Sequence, residues 1–423
     1  MEQSLNRSLI FRGGAVLQNR LCKTALAEGL SDASGDPNAL MINLYRRWGE
    51  GGAGLLITGN AHIDRRYRER STSLILDQKS DRRSYRALAA ASRNSGAKIW
   101  LQLNHPGRQC PAYISNIPVA PMAISPPFRF SGYNKTRAIG LAELPELVDR
   151  FVVSAQIAAD CGFDGVQIHS AHGYLLSSFL SPNLNRREDA YGDGPQGRAL
   201  LLIEIVSAIR TRLPEPFVIA VKINATDFER DGLGPCEATT TASLCVEAGA
   251  DCIEVSGGSY RRMMIAGENE ARRAGEAASV AGGYFRQFAR NLAIRLQDVP
   301  IMLTGGVRSV DSMAQALDQE GIALIGLGRP MCVDVNIAKK LLSGEVTDLS
   351  VLAAPRAIGP GLLGAGSVMR RIRRLNAFAA QAWYGEQLRR AAHDLAPDEK
   401  IGAWRALRLM MARDHQSRMV TAP

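Results

Sequence analysis

The stretch Gly162–Gly192, GFDGVQIHSAHGYLLSSFLSPNLNRREDAYG, decides how the chain reads. It opens with a short β-type run, Val166-Gln167-Ile168, and then sets His169, His172 and Tyr174 close together. In parallel α/β proteins ligands bind at the carboxyl ends of strands, so polar groups just there point to a site. Two imidazoles spaced like these can converge on one oxygen, and the phenol can reach the neighbouring atom. Such a set suits polarising a carbonyl and delivering a proton. The second half, with Ser181, Pro182, Asn185, Arg187, Asp189, Tyr191 and Gly192, is too polar for core. It reads as a structured loop whose side chains brace one another.

Outward from this stretch, short strand-like runs alternate with helical patterns. The strand runs are 21–26, 54–58, 99–103, 166–169, 217–223, 252–255, 301–304 and 323–326. Helices are predicted at 38–49, 81–95, 143–161, 196–212, 236–248, 283–296, 309–319 and 335–343. Eight such alternations predict an α/β protein with a (β/α)8 TIM barrel, a fold of about 250 residues. Gly13-Gly14 between apolar runs predicts an N-terminal hairpin. The extra length falls in strand-to-helix segments (104–142, 170–195, 257–281) and in a C-terminal helical extension that includes Leu375–Arg390. The expected division is a barrel over 1–345 and the extension over 346–423. Pro-rich residues 118–127 read as a rigid loop or lid. A doubly wound sheet is disfavoured because no Gly-x-Gly-x-x-Gly follows the first strand.

Composition excludes several classes. The 423 residues are 46% hydrophobic and 22% charged, ordinary for a globular protein. The net charge of +10 comes from scattered arginines, thickening at Arg370, Arg371, Arg373, Arg374, Arg389 and Arg390, not from a basic tract interleaved with aromatics. Nucleic acid is therefore not an expected partner. The seven cysteines are dispersed without a CxxC pair, so reduced thiols and a cytoplasmic location are expected. No window of the chain has the long apolar run that a membrane span or signal peptide needs. Oligomeric state is left open, a homo-oligomer included.

Further motifs carry chemistry. Gly305-Gly306 with Arg308, and Gly328-Arg329, follow the seventh and eighth strand runs. Glycines let backbone N–H groups approach a phosphate, and arginine neutralises it, so both point to phosphate binding rather than to turns alone. Gln102 ends the third strand and offers donor and acceptor to a heterocyclic edge. His105 and Arg108 beyond it suit loop bracing as well as catalysis. Lys222 on the fifth strand could face a developing anion or form a Schiff base. Zinc at His169 and His172 would need a third ligand, which no surrounding pattern supplies.

Together these motifs resemble the old yellow enzyme family of flavin-dependent ene-reductases, over roughly residues 5–345. The resemblance rests on Leu17, Asn19 and Arg20 near the first strand, Gln102 to Arg108, the HxxHGYL and SPxxNxRxDxYG segments from His169 to Gly192, and the late TGGVR and GLGRP glycine signatures. It implies FMN at the barrel mouth, with phosphate near Gly305, Gly306, Gly328 and Arg329, Gln102 at the pyrimidine edge, and Lys222 by N1 and O2. Ala27 and Asn60 join the cofactor contacts. His169 and His172 would hold the substrate carbonyl while its β-carbon accepts hydride from flavin N5, and Tyr174 would protonate the α-carbon. A phenol of pKa ~10 remains a competent acid at neutral pH. NADH or NADPH would be the reductant in a ping-pong cycle on an activated alkene. Ala27 stands where relatives often carry Thr or Cys against flavin O4, which should lower the flavin potential; Lys222 stands where many carry Arg. A flavin-binding module of low turnover, or a redox-neutral isomerase or dehydrogenase, is the competing reading. Larger relatives with an iron–sulfur cluster are excluded because Cys332 is the only cysteine past the eighth strand.

Overall fold

The structure, a computed structural model, describes residues 2–125, 132–229, 231–257, 279–349, 357–364 and 367–421. Eight parallel strands close on themselves: β1 (Leu21–Lys23), β2 (Leu55–His62), β3 (Lys98–Asn104), β4 (Gly165–Ser170), β5 (Val218–Asn224), β6 (Cys252–Ser256), β7 (Ile301–Thr304) and β8 (Leu324–Leu327), with β8 paired to β1 and β1 to β2. The helices outside are α1 (Ala39–Glu50), α2 (Arg82–Arg93), α3 (Leu144–Asp160), α4 (Gly194–Arg212), α5 (Pro235–Glu247), α6 (Ser279–Arg295), α7 (Val310–Gln319) and α8 (Ile337–Leu342). This is the (β/α)8 barrel that the alternation predicts, with the hairpin (Leu9–Ile10 and Val16–Leu17) across its base.

Local chemistry starts the helices. Asn38 accepts from the Met41 amide at 3.1 Å, Asp81 from Arg83 at 3.0 Å, and Ser309 from Ser312 at 3.3 Å, each satisfying an amide that the helix leaves open. In α2, Tyr85, Leu88, Ala89 and Ser92 recur at helical spacing and are buried against the barrel.

Strand alternation divides the barrel interior into two levels. Near the amino ends, Cys22, Leu55, Ile57, Trp100, Val218, Ala220, Cys252, Met302 and Leu324 form one apolar cluster, plugged by Leu9, Phe11 and Leu17 of the hairpin region. Trp100 takes so much of this space that β4 carries glycine opposite: a Cβ on Gly165 would lie 2.9 Å from the indole and 2.5 Å from the Val218 carbonyl. Two residues further along each strand the same inward positions become polar.

The second strand run is longer than its sequence pattern predicts. A bulge between Ile57 and Asn60 lets β2 continue to His62. Gly59 permits it, since a Cβ there would meet the Leu26 carbonyl at 2.1 Å.

The C-terminal extension is a helical pair, α9 (Arg370–Ala392) and α10 (Ala403–Thr421). Trp383, Ala379, Ala382, Ile401 and Leu407 are buried together with Val333 of the barrel, and Arg47 of α1 donates to the Ala391 carbonyl at 2.5 Å. Sequence periodicity flags only the first of the two helices. In the 118–127 segment, Val119–Ala120 pairs with Arg137–Ala138; residues 126–127 of that proline-rich run, and most of the 257–281 segment, lie outside the described residues. Among the described residues, no helix is long and apolar enough to cross a membrane.

Candidate active site

At the upper level of the barrel interior, the alternation that makes Trp100 apolar core makes Gln102 the next inward residue. The same step gives Gln167 and His169 on β4, Lys222 on β5, and Glu254 on β6. These side chains form one hydrogen-bonded chain. Gln102 Nε2 donates to Gln167 Oε1 at 2.6 Å, and Gln167 Nε2 donates to Glu254 Oε2 at 2.7 Å. Thr24 Oγ1 donates to Glu254 Oε1 at 2.8 Å, and the Lys222 ammonium sits 2.8 Å from the same oxygen. Lys222 and Glu254 side chains are 5% and 0% exposed, so this is a buried ion pair. Burial alone would push the Glu254 carboxyl up; Lys222 and the hydroxyl donors outweigh it and hold it below the ordinary carboxylate value. Gln102 and Lys222, which the sequence picks out, are therefore linked through Gln167 and Glu254, which it passes over.

The imidazole–phenol group lies at the end of β4. The His169 and His172 rings are 5.0 Å apart and nearly perpendicular; Tyr174 lies 4.8 Å from His169, also edge to face. The turn that gathers them is strained: His172 has φ 62°, a left-handed conformation costly for a residue with a Cβ, and Gly173 follows at φ 79°. Asn224 accepts from the His172 amide at 3.2 Å, and Gln109 donates to its carbonyl at 2.8 Å, which hold the turn. The Ala171 amide donates to His169 Nδ1 at 3.2 Å. A nitrogen that accepts carries no proton, so neutral His169 bears its hydrogen on Nε2. His172 Nε2 is 2.8 Å from Ser256 Oγ. Burial drives both imidazole pKa values well below the ordinary value, helped at His169 by His172 and then Lys222, and at His172 by Lys222. Both rings are thus neutral hydrogen-bonding groups at physiological pH.

The Tyr174 hydroxyl donates to Glu69, whose side chain is 5% exposed, and Asn60 Nδ2 donates to both, at 3.2 Å to the phenol and 3.0 Å to the carboxylate. The bulge in β2 places Asn60 in register with Gln102 and hence inward. Its Oδ1 is buried without a hydrogen-bond partner among the described residues. Ala27 is exposed on the neighbouring loop. That loop is pinned from beneath: Lys23 donates to Glu28 (2.8 Å), and to the Ile57 carbonyl (2.8 Å), and stands 4.4 Å over the Trp48 ring. Glu28 in turn accepts from the Gly59 amide.

On the opposite side of the mouth, Gly305 and Gly306 follow β7 with φ 90° and 82° and are exposed, as is Arg329 after β8. Gly328 faces Thr24 and Leu26; a Cβ there would sit 3.4 Å from Thr24. The long loop is braced as its composition predicts: Arg187 pairs with Asp189 at 2.6 Å and donates to the carbonyls of Pro121 and Ile139, while Asn185 donates to those of Phe179 and Tyr191. His105, its ring tilted against Tyr67 at 4.9 Å, and Arg108 are both buried.

The sequence pattern of the NADH:flavin oxidoreductase / NADH oxidase family matches residues 10–348. The chain belongs to this family. It is 35% identical over 384 residues to the NADH-dependent flavin oxidoreductase iliE of Hypocrea jecorina, covering 84% of this chain and 93% of that one. Against iccE of Talaromyces variabilis it is 31% identical over 414 residues, covering 92% and 98%. The NADH oxidase of Thermoanaerobacter brockii is 29% identical over 341 residues, and there the match spans 80% of this chain and 50% of the other. Among solved structures, the old yellow enzyme homologue from Zymomonas mobilis superposes with TM-score 0.68 at 22% identity, covering 82% of this chain and 94% of that one. A 2-naphthoyl-CoA reductase gives TM-score 0.73 at 24% identity, with 81% of this chain matching 53% of that one. The protein is an FMN-dependent NADH:flavin oxidoreductase of the old yellow enzyme family, using NAD(P)H.

The residues present fit FMN. Gly305 and Gly306, with positive φ, and Arg329 are exposed and offer the amides and the cation that a phosphate needs. The buried Asn60 Oδ1 lacks the donor that a flavin or its substrate could provide. Glu254 holds Lys222 as a fixed positive charge on the same network as Gln102. Gln167 and Glu254 could have been found from sequence as polar residues at inward positions of otherwise apolar strands. Glu69 carries no such signal, because its segment lacks periodicity.

Proposed function

We propose that the protein reduces the C=C bond of α,β-unsaturated carbonyl compounds with NADH or NADPH in a ping-pong cycle. The observation that carries this reading is the neutral His169–His172 pair with Tyr174 edge-on beside it. When bound, FMN supplies the hydride that NAD(P)H delivers to the enzyme; Gln102, Lys222, Ala27, Asn60, Gly305, Gly306, Gly328 and Arg329 are the residues proposed to hold it.

His169 Nε2–H donates to the substrate carbonyl oxygen, with His172 as the second donor. Because both imidazoles are neutral, they withdraw electron density from the alkene without protonating the oxygen outright. The β-carbon becomes the electrophilic end, and the enolate that develops is held by preorganised donors in a water-poor site. Tyr174, on the same turn, gives its phenolic proton to the α-carbon. Lys222, fixed by Glu254, places positive charge where electron-rich cofactor would otherwise be destabilised.

The test is an anaerobic visible spectrum of FMN-loaded protein, read after NADH or NADPH and again after cyclohexenone. Bleaching of the flavin bands followed by their return with the enone is expected. Flavin that bleaches but is not reoxidised by any enone would refute the alkene assignment. Flavin that never bleaches would favour a binding role and point to Ala27, which offers no hydroxyl or thiol to the cofactor.

A further inference from the structure

Tyr174 is not an isolated phenol. It donates to Glu69 Oε2, Asn60 bridges the two side chains, and the Glu69 amide donates to His62 Nε2 at 3.3 Å. The other Glu69 oxygen lies 3.9 Å from Arg70, whose side chain is 35% exposed. Glu69 also lines a cavity together with Ala27, Glu28, Arg70, Thr72 and Ser73, and Ala27 on its rim is exposed. One carboxyl therefore touches the buried phenol with one oxygen and lies beside the partly exposed Arg70 with the other.

We propose that Glu69 is the proton relay that recharges Tyr174, a role that rests on the reading of Tyr174 as proton donor. When Tyr174 protonates the α-carbon, its O–H bond breaks and a C–H bond forms, leaving a phenolate against the Glu69 carboxylate. Two adjacent negative charges in a buried site raise each other's proton affinity. Water on the cavity side gives a proton to Glu69 and leaves as hydroxide; the carboxyl turns and gives that proton to the phenolate, re-forming the Tyr174 O–H bond. The net proton comes from solvent, and the phenol and carboxylate return to their starting forms. Between turnovers the ionised carboxylate keeps the phenol protonated by disfavouring phenolate.

The charged and titratable groups facing this pair are Arg70 on the Glu69 segment, His62 from β2, His169 from β4, and Glu28 across the cavity. His62 is held neutral, its pKa lowered to about 4 by burial above all. Arg70 therefore supplies the main compensation that keeps Glu69 below the ordinary carboxylate value despite its burial, which by itself pushes the other way.

The test compares FMN-loaded wild type, Glu69→Gln, Glu69→Ala and Tyr174→Phe. Tyrosine labelled at Cζ with carbon-13 reports the Tyr174 titration, assigned by the signal lost in Tyr174→Phe. In Glu69→Gln the midpoint of the phenol titration should fall by about one pH unit or more, because a carboxylate neighbour is gone. The alkaline limb of the enone-dependent reoxidation should move with it. Reoxidation at neutral pH should slow by about tenfold or more. Acetate added to Glu69→Ala should restore rate in proportion to its concentration, which a merely structural loss would not do. An unchanged Tyr174 titration, or a reoxidation rate in Glu69→Gln equal to wild type while Tyr174→Phe is slow, would overturn the relay. If Tyr174→Phe itself reoxidises at the wild-type rate, the donor reading fails first and separately.

Discussion

Removing the Lys222 ammonium should do more than weaken cofactor binding; it should reverse the way the barrel responds to pH. Glu254 is fully buried, with Lys222 2.8 Å away as its cation and with Thr24 and Gln167 as neutral donors. In Lys222→Met the Thr24 and Gln167 hydrogen bonds remain but the Lys222 hydrogen bond and its charge do not, and a buried carboxylate without its cation costs about 3–5 kcal/mol at neutral pH. In the wild type the Glu254 pKa lies below its unfolded value, so its contribution is present above pH ~4.5 and lost as pH falls through the folded value. In Lys222→Met the desolvation that opposes ionisation is left unbalanced, and the folded pKa rises above the unfolded one. Stability is then greatest below pH ~4.5 and declines as pH rises toward the folded pKa, by ~1.4 kcal/mol for each pH unit that separates the two values. Urea unfolding of FMN-free protein at pH 5 and pH 8 reads this directly. Lys222→Met should lose several times more stability at pH 8 than at pH 5, whereas Lys222→Met with Glu254→Leu should recover much of the loss, since replacing both partners of a buried pair is often neutral. A deficit in Lys222→Met that is equal at the two pH values, or a double variant no better than the single one, would refute the argument that Glu254 depends on Lys222 for its charge.

Three further outcomes are expected. Tyr174→Phe should leave flavin reduction by nicotinamide within about twofold while slowing alkene reduction by ~100-fold or more, in line with loss of a general acid; stopped-flow measurement of the two half-reactions separates them, and equal reoxidation rates would end the assignment. His169→Asn should weaken binding of phenolate ligands about 10- to 100-fold, the loss of one hydrogen bond to a charged oxygen, measured by flavin absorbance titration. Because the imidazole pKa values are depressed, that affinity should carry no histidine inflection between pH 6 and 8. Finally, His62 and His105 have folded pKa values lowered to about 4 and about 3, burial being the main cause. Both are protonated more readily when unfolded, so the fold should lose stability as pH falls from ~6.5 toward 4, by up to about 3 kcal/mol for His62 alone; urea midpoints across that range test it, and His62→Gln should flatten the slope.

The barrel was legible because its signals are periodic. A strand buried on both faces reads as a short apolar run, and eight of them spaced by amphipathic helices leave few topologies. The His169–Tyr174 turn was legible because unusual residue types are packed at a strand end. Other parts of the site depend on contacts far apart in sequence. Glu254 meets Thr24 across 230 residues, and nothing local distinguishes it from a solvated glutamate except its place in an inward register. That register is itself countable: Cys252, Glu254 and Ser256 alternate on β6 as Trp100, Gln102 and Asn104 do on β3, with the apolar member at the base. The phase on β2 is not countable, because the bulge between Ile57 and Asn60 breaks it. Without the bulge, Gly59 would take the inward position, and Asn60 would face away from Tyr174. The extra residue is what brings Asn60 to the phenol, and Glu69 then closes the group from a segment with no pattern of its own. The Asn60–Glu69 side of the site thus rests on a register change and an irregular loop, while the histidine and lysine side rests on regular strands. That is why the histidines, Lys222 and Tyr174 can be read from spacing, Asn60 only through the family resemblance, and Glu69 only from the folded chain.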